Sequence, residues 1–202
     1  MYTLAINTAS SRTALVLARD QQIVAERSWK SENDEAEKIM PTIREMLGEI
    51  SFEQINRVLV LRGPGSFTGL RVGITVANTI SYLVGAKLFQ ISTFEYWHRL
   101  SSLPILVFAG RNSVYLSLGP KDYRIVELDD LNQELAKLGI DKVSGDISEE
   151  QKAVLEADFV PADGGLADTL TLGEPVKAVS PLYVRQPGIT ISKKNQTVGA
   201  QS

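Results

Sequence analysis

The sequence predicts an α/β fold in two lobes, the first complete and the second reduced. Three observations carry that prediction. The first hundred residues run in the order β-β-β-α-β-α-β-α, and the chain after residue 100 begins again with three strand-like segments. The 202-residue chain is 22% charged, yet no residue from Val72 to Ala86 carries a charge. A helix with almost no solvated face is normally buried on most sides, so that segment is expected to be covered.

Tyr2–Thr8 is a short apolar strand, and Thr8-Ala9-Ser10-Ser11 is a small polar turn. Thr13–Ala18 and Ile23–Ser28 complete a meander, with Asp20-Gln21-Gln22 turning the chain between them. A helix follows over 34–47, opened by Glu32, Asp34, Glu35 and Glu37, whose charges suit the positive end of a helix dipole. Ala36, Ile39, Met40, Ile43, Met46 and Leu47 form its apolar stripe, Pro41 is expected to kink it, and Gly48 ends it. Ser51–Gln54 offers a capping-box turn, and Arg57–Leu61 is a continuous apolar strand of the buried type. Then come a glycine turn over Gly63–Gly69, a helix over 70–84 that is uncharged from Val72 onward, a strand at Lys87–Ile91 and a helix opened by Ser92 and Glu95.

In the second half, Pro104–Ala109, Ser113–Leu118 and Tyr123–Glu127 read as strands. Asp129–Leu138 reads as a helix ended by Gly139, Asp141–Gly145 as a short strand, Ser148–Ala157 as a helix and Asp163–Leu172 as holding a short one. The expected boundaries are a lobe over 1–100, a reduced lobe over 101–185 and a polar tail over 186–202, expected to be mobile. A three-strand meander followed by two α-β units is the order of the repeating lobe of the actin-like (ribonuclease H-like) ATPase fold, an analogy of topology and not of function.

A net charge of -3 gives no broad attraction to nucleic acid or to an anionic membrane. The absence of cysteine excludes disulfides, thiolate catalysis and cysteine-ligated metals, and it fits a reducing cytoplasm. Met1–Ala9 is too short for a secretory leader, and no run reaches the roughly 20 apolar residues of a membrane span.

The chemistry-bearing candidates are few. The glycine turn lacks the lysine of a phosphate loop after Gly69 and has Thr68 where a dinucleotide fingerprint needs glycine. It could seat a phosphate on the free N–H groups of the helix start, or it could simply allow a tight strand-to-helix turn. Asn7 stands at the end of the first strand, where an actin-like ATPase carries an aspartate; as a neutral side chain it suits a structural turn better than a hard cation. His98, the one histidine, lies beside Trp97 and reads as a packing residue. Asp163-Gly164-Gly165 reads as a loop, and Ser66 lacks a recognisable base partner. No catalytic residue, metal ligand or cofactor is expected. What remains is apolar surface. On the uncharged helix, Leu70, Ile74, Ala77, Ser81 and Val84 form one face, and Val72, Val76, Ile80 and Leu83 an adjoining one. The sheet covers one face; a partner could dock on the other together with the 34–47 stripe, or both could be internal.

With these residues in view, the chain resembles the bacterial TsaB (YeaZ) family. The resemblance rests on R-G-P-G-S-F-T-G-L-R-V-G at Arg62–Gly73, with its signature turn Gly63, Pro64, Gly65, Ser66, Phe67, Thr68, Gly69 and Arg71. Supporting it are Leu4–Ala9, Ile39–Leu47, Ile91–Glu95 and Pro181–Arg185. It covers residues 1–100 well and the remainder in patches. The resemblance implies a shortened actin-like protein without catalysis of its own. Such a protein partners the TsaD enzyme in making N6-threonylcarbamoyladenosine in tRNA, a TsaE ATPase joins at the TsaB–TsaD interface, and tRNA is met only through the complex. It also implies a heterodimer interface on the two helices 34–47 and 70–84, at Ile39, Met40, Ile43, Met46, Leu47, Val72, Val76, Ile80 and Leu83, with homodimerisation when the partner is absent. The chain departs from the family at Asn7, usually Asp; at Glu35, often His; and at Phe108–Tyr115, F-A-G-R-N-S-V-Y, which lacks the usual acids. A small actin-like ATPase or phosphotransferase, and a stand-alone homodimer, are the rival expectations.

Overall fold

Residues 2–30 form the meander in register: β1 (Tyr2–Asn7), β2 (Arg12–Arg19) and β3 (Gln22–Lys30) are antiparallel neighbours, with Ile6 opposite Leu15 and Leu17 opposite Ala25. The computed structural model describes residues 1–32 and 34–184, so Arg185 and the expected tail over 186–202 lie outside the described residues. Asp20 and Gln21 alone join β2 to β3. Both adopt positive φ, 49° and 71°, as a two-residue turn between twisted strands requires.

Next come α1 (Glu35–Leu47), β4 (Ile55–Leu61), α2 (Phe67–Val84), β5 (Lys87–Ile91) and α3 (Thr93–Leu100). β4 pairs in parallel with both β1 and β5, as crossover helices demand. Helix α1 continues through Pro41 as one element. Helix α2 starts three residues earlier than its apolar pattern shows. Ser66 caps it, its Oγ accepting from the Gly69 N–H at 3.2 Å, and Gly85 ends it in the left-handed region.

The second sheet contains β6 (Ile105–Gly110), β7 (Ser113–Gly119), β8 (Asp122–Glu127), β9 (Lys142–Asp146) and β10 (Asp158–Phe159), in the order β10-β9-β6-β7-β8. Its helices are α4 (Leu128–Lys137) and α5 (Glu149–Lys152). Helix α5 is one turn, shorter than the expected 148–157. The chain leaves it so that Leu155 and Ala157 can pack on the second core and Phe159 can pair beside Val143.

Residues 160–184, expected with the second lobe, run back along the first. A 3-10 turn at Leu166–Thr169 places Leu166 and Leu170 in the first core, and Val179 joins them. Strand β11 (Glu174–Val176) pairs antiparallel with β5, completing the six-strand order β11-β5-β4-β1-β2-β3. Pro175 is tolerated because β11 is an edge strand.

Thr8 touches Gly73 of α2, whereas the preceding Asn7 shares a cavity with Tyr96 of α3. Successive strand residues point to opposite faces, which puts α2 and α3 on opposite faces of the first sheet. Helix α3 also joins the lobes. Phe94 is fully buried, stacks on Tyr123 at 4.2 Å between centroids and clusters with Ile105, Val107 and Tyr115 of the second lobe.

Candidate functional site

The cleft between the lobes begins at the β1–β2 turn. Asn7, buried at the end of β1, turns its amide back on the chain: Oδ1 accepts from the N–H groups of Ala9 at 3.0 Å and Ser10 at 3.4 Å, and Nδ2 donates to Ser10 Oγ at 3.0 Å. This is the structural turn predicted for an asparagine. The next N–H, of Ser11, donates to Asp146 Oδ2 at 2.7 Å, and the Ser11 hydroxyl to Oδ1 at 2.5 Å. Asp146 ends β9 of the second lobe, so the bond spans the cleft.

The glycine turn packs on this same loop. A Cβ on Gly65 would lie 2.2 Å from the Ala9 carbonyl oxygen, and one on Gly69 2.1 Å from that of Thr8. Only glycine admits backbone to backbone at that distance. Gly63 has φ +101° and precedes a cis proline, Pro64. Ser66 N–H donates to Ala9 oxygen at 2.9 Å. Phe67 meets Tyr183, ring centroids 5.3 Å apart, and the Arg71 guanidinium lies over Phe67 at 4.0 Å. Thr68 is exposed. The contacts of the glycines themselves are those of close packing. The N–H groups of Ala9, Ser10, Ser11, Ser66 and Gly69 hold partners within the chain.

Other candidates have structural surroundings. Burial lowers the pKa of His98, whose Nε2 lies 2.9 Å from Ser117 Oγ across the lobe junction. Burial, with the Asp146 charge adding to it, pushes the Tyr96 hydroxyl up to about 12. The Asp163–Gly165 loop borders the cleft, with Gly165 N–H donating to Asp168 at 2.8 Å. Among the described residues, no three His, Asp or Glu side chains gather as metal ligands would.

The apolar helices divide sharply. Ile39 and Ile43 are fully buried, and Met46, Leu47 and Ile80 nearly so; all five belong to the first core. That corrects their placement on an open face: the α1 stripe is spent on the sheet and on α2. Met40, Val72 and Val76 are half-buried, and Leu83 is 73% exposed. Sequence inspection passed over Tyr82, 87% exposed beside Leu83, and the hydroxyl-bearing Thr75 and Thr79. Thr68, Val72, Thr75, Thr79 and Leu83 recur at helical spacing along the outer side of α2, so the uncharged surface is one stripe. A concavity of about 440 Å³ runs beside it, lined by Met40, Phe52, Val76, Leu83 and Val84 among others, with Glu53 its one charged residue. The stripe carries no formal charge, a composition suited to protein contact.

Fold and surface together define an actin-like protein with a filled cleft turn and one helix whose outer stripe is exposed and uncharged. A family model described as TsaD, tRNA N6-adenosine threonylcarbamoyltransferase, matches residues 30–189, and the chain belongs to that family, among its TsaB (YeaZ) members. It is 27% identical over 97 residues to the tRNA threonylcarbamoyladenosine biosynthesis protein TsaB of Bacillus subtilis, covering 47% of this chain and 42% of that one. To the protein of the same name in Buchnera aphidicola it is 25% identical over 154 residues, 67% of this chain and 73% of the other. The match thus spans less than half of the Bacillus protein. YeaZ from Pseudomonas aeruginosa superposes with a TM-score of 0.70 at 17% identity, over 91% of this chain and all of that one, and so shares the fold.

Proposed function

We propose that the chain is a non-catalytic subunit in the biosynthesis of threonylcarbamoyladenosine in tRNA, binding and activating a TsaD-like transferase through the outer stripe of α2. The observation that carries this is the exposed apolar end, Tyr82 and Leu83, of a helix that carries no charge after Arg71, in a family whose curated relatives are named for that biosynthesis. Activation is a coupling free energy: the partner's competent conformation binds the α2 face more tightly than its other conformations, so binding raises its population. A TsaE-like ATPase joins at the shared interface, tRNA is met through the complex, and the compartment is the cytoplasm. Without a partner the same stripe can pair with a second copy, since a two-fold interface uses one patch twice. The filled β1–β2 turn favours this role over that of a phosphotransferase. No described helix is long and apolar enough to cross a membrane.

Co-expression with the TsaD-like protein of the same genome, followed by gel filtration and a tRNA modification assay, tests the proposal. Co-elution and dependence of the modification on this chain are expected. Separate elution with undiminished modification would sink it.

A further inference from the structure

We propose that Asp146 is a built-in anion that closes the cleft: its carboxylate occupies the remaining donors of the β1–β2 turn, pins the lobes together and excludes phosphate-type oxyanions from that turn. Three successive N–H groups of the turn each meet a side-chain oxygen. Asn7 takes those of Ala9 and Ser10, and Asp146 takes that of Ser11 together with the Ser11 hydroxyl, at 2.7 and 2.5 Å. An N–H beside a hydroxyl, both aimed at two oxygens of one anion, is the donor geometry that a phosphate or sulfate would use. Here the anion comes from 135 residues away, on the other lobe.

The position of Asp146 gives the contact its consequence. Its side chain lines two cavities of about 430 Å³ each. One holds Asn7, Tyr96 and Lys152; the other holds Ser66, Phe67, Phe108 and Lys30. The Ser11–Asp146 bond is therefore a wall between two halves of one cleft. Of the nearby cations, Lys152 pairs with Glu149 at 2.8 Å, and Arg12 donates to Ser28 at 3.2 Å. The buried Phe94 cluster is a second, apolar tie between the lobes, and the Ser11–Asp146 bond a polar one. The inference stands whether or not the chain has a TsaD-like partner.

Amide exchange and phosphate titration of the full chain by NMR test it with Asp146→Ala. Loss of a charge-assisted hydrogen bond should speed exchange at the Ser11 amide about tenfold or more, with Leu15 and Val16 unchanged. Inorganic phosphate should then shift the Ser10 and Ser11 amide signals in the variant and leave the parent chain unaffected. Asp146→Asn keeps one acceptor oxygen and should fall between them. Ser11→Ala removes only the hydroxyl half, should show a smaller rise, and covers the case in which Asp146→Ala does not fold. Unchanged Ser11 exchange in these variants overturns the proposal. So does phosphate that shifts parent and variant alike, or neither.

Discussion

Leu83→Glu is the sharpest probe of the α2 stripe. Leu83 is 73% exposed and lies at the C-terminal end of α2, beside Val84 and across from Met40 and Phe52. Fully burying a leucine is worth about 1.5–3 kcal/mol, so covering the exposed three-quarters against a partner yields about 1–2 kcal/mol. Leu83→Ala should therefore weaken binding about 5- to 30-fold. Glutamate does more. It removes that gain and asks the interface to bury a carboxylate without a counter-charge, at a cost of several kcal/mol. Binding at micromolar concentrations should vanish. Because the side chain faces solvent in the isolated chain, stability should move by no more than about 0.5 kcal/mol. Calorimetric titration with the TsaD-like protein reads the affinity, and urea denaturation reads the stability. Ile43→Ala is the matched contrast: a fully buried residue whose truncation should cost about 2–5 kcal/mol of stability without touching the exposed stripe. A folded Leu83→Glu chain that binds its partner as well as the parent would refute the placement of the interface.

Three further outcomes follow from the contacts around α2 and the cleft. Gly69→Ala, whose Cβ would fall 2.1 Å from the Thr8 oxygen, should lower stability by about 1–3 kcal/mol in urea denaturation; a neutral result would mean the turn can part from β1 freely. Asn78→Ala removes both bonds to Val179, Nδ2 to its oxygen at 3.0 Å and Oδ1 from its N–H at 2.9 Å, and should cost about 1–3 kcal/mol with faster exchange at the Val179 amide. Tyr96 gives a pH signature. Its folded pKa, near 12, exceeds the usual 10, so the unfolded chain loses this proton first. The stabilisation is complete below pH 10 and falls away as pH rises toward 12; Tyr96→Phe should flatten that part of the stability–pH curve.

Much of the architecture could be read from the chain because its signals are local. The meander, the two α-β units and the strands β6–β8 each carry their own periodicity and turn residues. The misses are of another kind. Phe67, Thr68 and Gly69 look like part of a glycine turn, so the start of α2 becomes visible only when Ser66 is seen to cap Gly69. Strand β11 holds three residues, one of them proline, and exists because the edge of β5 is open to it. The apolar stripe of α1 was plain, yet periodicity shows that a face is covered without naming the cover; the sheet and α2 take Ile39 and Ile43. The Ser11–Asp146 contact joins residues 135 apart, each an ordinary polar residue in its own neighbourhood, and left no sequence signal.

The return of residues 166–184 to the first lobe has a consequence for how the chain is made. Leu166, Leu170 and Val179 complete the core that β1 to β5 begin, Leu182 N–H donates to the Arg62 carbonyl at 2.7 Å, and Tyr183 sits against Phe67. A ribosome delivers these pieces only after the whole second lobe has emerged. The first lobe thus waits through synthesis of the second with its β5 edge unpaired and one side of its core uncovered, a state in which a nascent chain is prone to mispairing. Closure of the first-made half therefore waits for residues 166–184, and the wait ties the folding of the first lobe to that of the second.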